Sequence, residues 1–377
     1  LVFVLGRPLL AGGDGPTPTV AVAGPAPTAT AAAVAQAATA TPTATAPPPT
    51  PTLAPPATAT TVPPTPTVPA PTATAAPTAT PKTPLGTGPP PPTSAPTAPP
   101  PTATAAPTLA GPPPPNEQIL TAAQGALNSL PGTATGMFLD LGPGGEVVLR
   151  DADRVMPTGS VIKLIIAGEA YHQVVQGKLR LSDTFTVQQS DVVGGTGILQ
   201  NQVGSTHTLD QMVEIMLVYS DNTAANMLID RLGGFTPIND FAASLGLSNT
   251  RLNRRLMDTA AEARGVENVS TAREVTVFLL KLRLNQVVNP TYSQRITAIL
   301  RERARDDRNW ALLDLPSDVD AEHISGTLTG LRVDAITVNV DDNPYILVVF
   351  VQNQDEAAAE QAIRDASAKI YRAVTAR

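Results

Sequence analysis

The feature that most limits what this chain can fold into is the crowding of proline in its first third. A proline fixes its own φ at about −65° and brings no backbone N–H, so closely spaced prolines leave no room for a helix or a hydrogen-bonded strand. From Gly15 to Pro115 the chain is almost wholly Pro, Thr, Ala, Val and Gly, with Lys82 as its one charged residue. Residues 15–115 are therefore predicted to be a disordered Pro/Thr/Ala-rich stalk in extended, polyproline-like conformations. At ~3.1 Å per residue such a tract reaches on the order of 300 Å when fully extended, which suits a spacer holding a domain away from a surface.

Ahead of the stalk, Leu1 to Leu10 is apolar but broken by Arg7 and Pro8 and too short to cross a bilayer. Residues 1–14 read either as a frayed terminus or as the remnant of a signal or membrane anchor, the anchor itself lying upstream of residue 1. Either way the expected setting is extracytoplasmic, secreted or held at the cell surface. The absence of cysteine rules out a disulfide framework without fixing the compartment. A net charge of −7 and only 3% aromatic residues speak against a nucleic-acid surface. His172, His207 and His323 show no metal-ligand spacing and no phosphate-cradling glycine loop is visible, so neither metal nor cofactor is expected.

Order resumes at Asn116. A helix to about Ser129 precedes two short strands, Gly136 to Leu141 and Glu146 to Ala152, joined by a glycine-rich hairpin turn. Helices follow to about Gly177, from Leu209 to Tyr219, from Gly234 to Leu245, from Thr271 to Leu284 and from Pro290 to Arg305. The charged, arginine-rich stretch from Thr250 to Val269 lacks clean periodicity and is predicted to be a surface loop. Three strands then appear, Glu322 to Leu328, Ala335 to Val340 and Tyr345 to Val351, before a final helix from about Asp355 to Val374. Two early strands, three late strands and helices between them describe one α/β domain over residues 116–377, its antiparallel sheet assembled from both ends of the segment.

The chemistry is expected at Met156-Pro157-Thr158-Gly159-Ser160-Val161-Ile162-Lys163, where an apolar helix begins. Ile162, Leu164, Ile165, Ile166 and Ala167 surround that helix too completely for a surface position, so it should be buried at the centre of the domain. Ser160 and Lys163 lie about one turn apart on one face. A partly desolvated lysine amine can take the proton that keeps a serine hydroxyl from acting as a nucleophile. By itself the pair is a common pattern, and most instances are a solvated helix start. A second polar cluster, Ser220-Asp221-Asn222, lies between two helices, and locally it reads as an N-cap for the helix carrying Ala224 and Leu228.

Taken together, Ser160-x-x-Lys163, Ser220-Asp221-Asn222 and the glycine-bearing late strand resemble the class A β-lactamase and penicillin-recognising serine hydrolase superfamily, whose motif set is S-x-x-K, S-D-N and K-T-G. The resemblance implies a five-stranded antiparallel sheet flanked by helices with an all-helical subdomain. It implies Ser160 as the acylated nucleophile, Lys163 as its base or proton relay, and Ser220 as the shuttle to the leaving nitrogen. Asn222 would bind the substrate amide, while Asp221 holds the turn. The segment His323-Ile324-Ser325-Gly326-Thr327-Leu328-Thr329-Gly330-Leu331-Arg332-Val333-Asp334 is similar to the family's H-K-T-G-T-L-P-G-V-R-H-D form. On that alignment Ser325, Gly326 and Thr327 line the substrate site, and the Thr327 N–H joins that of Ser160 as an oxyanion hole.

Two departures bear on activity. Ile324 stands where the motif has a lysine, and Arg332, close by on the same element, reads either as the source of the missing charge for a substrate carboxylate or as an exposed arginine on a strand end. Leu256 stands where class A enzymes carry the glutamate that activates the deacylating water, with Asp258 and Glu267 as nearby carboxylates at other spacings. The resemblance therefore implies a monomeric serine hydrolase acting on a β-lactam or a cell-wall peptide. Its alternative is a penicillin-binding-like or cell-wall ligand-binding surface module that forms an acyl adduct without turning it over.

Overall fold

The computed structural model describes residues 116–306, 310–341 and 343–376. The anchor remnant and stalk expected over residues 1–115 lie outside the described residues. The Asn116 side chain accepts from the N–H groups of Gln118 and Ile119 at 3.1 Å each. It thereby satisfies donors that a helix start leaves open and caps α1 (Glu117–Asn128). The expected hairpin follows as β1 (Thr133–Asp140) and β2 (Val147–Arg150). β3 (Met156–Pro157) leads through a short 3₁₀ turn, Gly159–Ile162, into α2 (Lys163–Val175). Then come β4 (Thr184–Thr186), β5 (Thr206–Thr208), α3 (Leu209–Val218), α4 (Asn222–Arg231), α5 (Phe235–Ser244), α6 (Thr259–Ala263) and β6 (Val269–Ser270). The remainder comprises α7 (Ala272–Arg283), α8 (Pro290–Asp306), α9 (Trp310–Leu313), β7 (Asp320–Leu328), β8 (Leu331–Asn339), β9 (Tyr345–Gln352) and α10 (Glu356–Thr375).

The five longer strands form one antiparallel sheet in the order β2-β1-β9-β8-β7, so the first and last strands of the domain meet at its centre. Met137 lies opposite Val348 across that seam. The run Tyr345-Ile346-Leu347-Val348-Val349-Phe350-Val351 is buried throughout because β9 is covered on both faces. Its residues divide by the strand's period of two. Tyr345, Leu347, Val349 and Val351 pack with Ile119 and Leu127 of α1 and Ile363 and Ile370 of α10. Ile346, Val348 and Phe350 face the opposite core, with Phe278 and Leu279 of α7 and the apolar residues of α2 to α5.

α2 is the axis of that second core, and ten of its thirteen residues are buried, as the apolar girdle of the sequence predicts. Its polar exceptions are paired: the Gln173 side chain donates to Glu169 at 2.8 Å and to the Leu232 carbonyl at 2.9 Å. Where the sequence suggested one helix from the turn onward, the first four residues, Gly159–Ile162, are wound more tightly. This swings Ser160 to the rim while Lys163 starts the buried helix.

The stretch from Thr250 to Val269 corrects the surface-loop expectation. It carries α6 and the start of β6, and Leu252, Arg254 and Leu256 are buried. Its order comes from three asparagine side chains acting as substitute backbone, which leaves no periodic trace. Asn239 bonds both the N–H and the carbonyl of Leu252, at 2.8 and 3.1 Å. Asn226 does the same for Leu256, at 2.9 and 3.0 Å. Asn268 accepts from the N–H groups of Asn253 and Arg254 at 2.8 and 2.9 Å.

Candidate active site

The turn that carries Ser160 is fixed from below and from the side. Thr158 is buried, and both its N–H and its hydroxyl donate to the Asn268 carbonyl, at 2.9 and 3.1 Å. On the other side β7 lies directly against the turn: a Cβ added at Gly326 would stand 2.3 Å from the Thr158 carbonyl oxygen and 2.9 Å from the Ser160 nitrogen. Gly159 answers it with φ +52°, and a Cβ there would meet the Thr327 nitrogen at 2.8 Å. Glycine at both places lets the N–H groups of Ser160 and Thr327 come to one rim of a cleft of about 140 Å³. That cleft is lined by Ser160, Asn222, Leu256 and Thr327 and by the carboxylate residues Glu262 and Glu267.

Lys163 is fully buried and stands at the centre of the polar cluster. Its Nζ is 3.0 Å from Ser160 Oγ, 3.0 Å from Ser220 Oγ, 2.9 Å from Asn222 Oδ1 and 2.5 Å from the Ser220 carbonyl. Burial, reinforced by the positive charge of Arg303 and opposed by Asp221, lowers its pKa from 10.5 to about 7. A neutral amine keeps a lone pair, so near neutrality Lys163 can accept the Ser160 proton as well as donate to the other oxygens.

Ser220 sits at φ +51°, a left-handed conformation that costs a side-chain-bearing residue roughly 1 kcal/mol. The surrounding bonds hold it there. One Asp221 carboxylate oxygen caps α4 through Ala224 N–H at 2.8 Å, and the other accepts from the N–H groups of Ile198 and Leu199 at 2.7 and 2.8 Å. Thr196 donates its hydroxyl to the Ser220 carbonyl at 2.7 Å, and Asn222 donates its side-chain amide to the Gly194 carbonyl at 3.2 Å. The capping reading of this turn is thus true of Asp221, and the strained Ser220 beside it faces Lys163.

The late-strand residues separate. Thr327 lines the cleft, Gly326 lies behind it against the backbone of the Ser160 turn, and Ser325 is buried and accepts from Arg303 Nη2 at 3.0 Å. Ile324 is packed in the core at 2% exposure. Arg332 does not reach the site, which corrects the expectation that it replaces the motif lysine. β8 begins at Leu331 rather than Ala335, so Arg332 lies within the strand, and the alternation that turns Leu331, Val333 and Ala335 to the α2 core turns Arg332 to the opposite face, toward α10. There it donates to Glu360 at 2.7 Å and to Glu356, and stacks 5.6 Å from the Trp310 ring. Its guanidinium stays firmly charged through those two carboxylates, against the opposing effect of burial.

Among the described residues no carboxylate takes the place of Leu256. Asp258 caps α6 through Ala261 N–H at 2.9 Å. Glu267 accepts from Nε and Nη2 of the buried Arg254 at 3.1 and 2.9 Å, with Glu262 3.6 Å from the same guanidinium. The three histidines are scattered: His172 bonds Glu169, His207 bonds Ser205 and His323 bonds Asp334. Sequence reasoning missed Arg303, which sits in an arginine-rich helix end with no motif around it, and Thr196, whose loop has no periodic signal.

A family model described as the Beta-lactamase enzyme family matches residues 117–374, more than half of the chain. The β-lactamase of Rhodobacter capsulatus is 29% identical over 237 residues, covering 59% of this chain and 76% of that protein. Among solved structures, the β-lactamase of Sphaerobacter thermophilus DSM 20745 superposes with a TM-score of 0.62 at 25% identity, over 69% of this chain and 98% of that one. A leucine-to-glutamate variant of PBP-A, in an acyl-enzyme complex with penicillin G, superposes with a TM-score of 0.62 at 26% identity, over 70% and 100% of the two chains.

Proposed function

The chain belongs to the β-lactamase enzyme family, and from that premise we propose that it is a serine hydrolase of the class A type, acylated at Ser160 by β-lactams or peptide-like cell-wall amides. The observation that carries this reading is the placement of one buried amine, Lys163 Nζ, at 3.0 Å from both Ser160 Oγ and Ser220 Oγ.

In the acylation step neutral Lys163 takes the proton of Ser160 as Oγ attacks the carbonyl carbon. The oxyanion that forms is met by the N–H groups of Ser160 and Thr327, an arrangement in which each donor is worth about 10²–10³ in rate. The carbon–nitrogen bond then breaks, the proton passes from Lys163 through Ser220 to the leaving nitrogen, and an ester on Ser160 remains with Lys163 again neutral. Asn222, held by Gly194, has its amide at the cleft for the substrate's acyl-side amide.

Hydrolysis of the ester needs a base for the incoming water, and Leu256 offers none. Glu262 and Glu267 share the cleft, yet both lean on Arg254. This favours a long-lived acyl-enzyme, and with it the second reading, a penicillin-binding-like module with little turnover. The experiment is reaction of the full chain with a chromogenic β-lactam and a fluorescent penicillin, followed by intact mass, with Ser160→Ala as control. Turnover lost in the control supports the hydrolase; a stoichiometric adduct lasting hours supports the second reading; no adduct and no turnover removes both.

The same reading puts the domain outside the cytoplasm as a monomer, with residues 15–115 as its stalk. Protease accessibility on intact cells and sedimentation of the purified chain test those two points.

A further inference from the structure

Arg303 lies near the end of α8, in the run Arg301-Glu302-Arg303-Ala304-Arg305. Arg301 is half-buried and Arg305 exposed, but Arg303 is buried to 3% exposure. Placing a guanidinium there is costly unless its donors find partners, and its partners are specific. Nη1 donates to the carbonyls of Leu217 and Val218, at 3.0 and 3.1 Å, in the last turn of α3. These are carbonyls that a helix end leaves open, and the negative end of the helix dipole favours a cation. Nη2 donates to Ser325 Oγ at 3.0 Å.

Both attachment points border the reacting groups. Val218 is two residues before Ser220, and Ser325 is two residues before Thr327. One planar fork therefore spans the two walls of the cleft, the wall that presents the Ser220 hydroxyl and the wall that presents the Thr327 N–H. On β7 itself no cation is available at this point, because Ile324 is apolar and packed in the core.

We propose that Arg303 is a positioning residue of the acylation site, setting the spacing of its two walls and supplying from α8 the positive charge that Ile324 leaves out of β7. The inference rests on the acyl-transfer reading of Ser160. Its second arm is electrostatic: after burial, Arg303 is the largest cause of the depressed Lys163 pKa, with Asp221 acting against it. The buried charged groups of α2, α7, β7 and β8 other than Lys163 are bonded elsewhere. Glu169 of α2 is held by Gln173 and His172, Glu274 of α7 by Asn249 and Thr250, and the His323–Asp334 pair of β7 and β8 is closed on itself and on the Ala311 N–H.

The test compares full-length Arg303→Met and Arg303→Lys with the parent by two independent readouts. The first is NMR titration of the protein labelled with ¹³Cε-lysine. The chain has five lysines, and the Lys163 signal is identified by its loss in Lys163→Met. The second is the rate of acylation by a fluorescent penicillin from pH 5 to 9. In the parent the Lys163 midpoint is expected near its lowered value of about 7. Arg303→Met should move the midpoint upward by about one pH unit and lower acylation at pH 6 about tenfold beyond any loss at pH 9. Arg303→Lys keeps the charge and loses the fork, so its midpoint should stay while acylation falls severalfold at every pH.

A Lys163 midpoint unmoved in Arg303→Met, with only thermal stability reduced, overturns the electrostatic arm. Arg303→Lys acylating as fast as the parent at every pH overturns the positioning arm and stands as the test should Arg303→Met not fold. A parent that shows no acylation while its Lys163 midpoint responds to Arg303 overturns the acyl-transfer reading and leaves the electrostatic arm supported.

Discussion

The amine of Lys163 stands 3.0 Å from the Ser220 hydroxyl although 57 positions separate the two residues in the chain. Ser160 reaches the same amine at 3.0 Å from only three positions away. Two hydroxyls on one partly neutral amine make a proton path from the attacking oxygen to a leaving nitrogen, and its behaviour is open to direct test.

Acylation should depend on pH through Lys163. Its folded pKa is lowered to about 7, chiefly by burial, so raising the pH through that value creates the neutral base and acylation should rise and then level. The sign carries over to stability. The unfolded chain keeps this proton up to its ordinary value of 10.5 while the folded chain releases it at about 7, so between those values unfolded chains bind more protons and stability climbs with pH. Stopped-flow acylation and denaturant melts at pH 7 and 9 check both, and Lys163→Met should abolish both trends and slow acylation at least ~10²-fold.

Ser160→Ala should leave the fold in place, because the hydroxyl lies at the rim rather than in the core. Intact mass after incubation with a penicillin should show no adduct while the melting temperature stays near that of the parent.

Gly326→Ala should be far more damaging than its single methyl suggests. The added Cβ would stand 2.3 Å from a backbone oxygen of the Ser160 turn, so the turn and β7 must separate. Acylation is expected to fall at least ~10²-fold, as when an oxyanion-hole donor is lost, with a lower melting temperature. Parallel rate and melting measurements read this.

Leu256→Glu should shorten the life of the acyl-enzyme. Leu256 lines the cleft and its backbone is held on both sides by Asn226, so a carboxylate would be presented to the ester from a fixed position. General-base help of this kind is worth about 10²-fold or more, and the release rate of a fluorescent penicillin measures it. An unchanged release rate would mean that position is not where the water is activated.

Arg332→Ala should lower thermal stability and leave acylation by carboxylated β-lactams unchanged. Its partners are Glu356, Glu360 and Trp310 on the α10 side of the sheet. A loss of carboxylate-dependent affinity in this variant would contradict the geometry.

The sequence by itself determined whatever depends on neighbours within one turn or one strand. The Ser160–Lys163 pairing, the Asp221 cap, the buried character of α2 and the apolar run of β9 all follow from local spacing and residue type. The sheet built from both ends of the domain was equally legible, because the strand pattern breaks off at Ala152 and returns at Glu322. Tertiary structure alone decided the rest. Arg332 turns to the α10 face because β8 extends back through it and the strand's alternation sets it opposite Leu331 and Val333, and its charged partners there come from α10, distant in the chain. The packing of Thr250 to Val269 depends on Asn226 and Asn239 reaching its backbone from α4 and α5 and on Asn268 reaching back across the stretch itself, which no period can encode. Arg303 joins the two walls of the cleft through carbonyls of α3 and a hydroxyl of β7, and such bonds exist only once elements distant in the chain have been brought together.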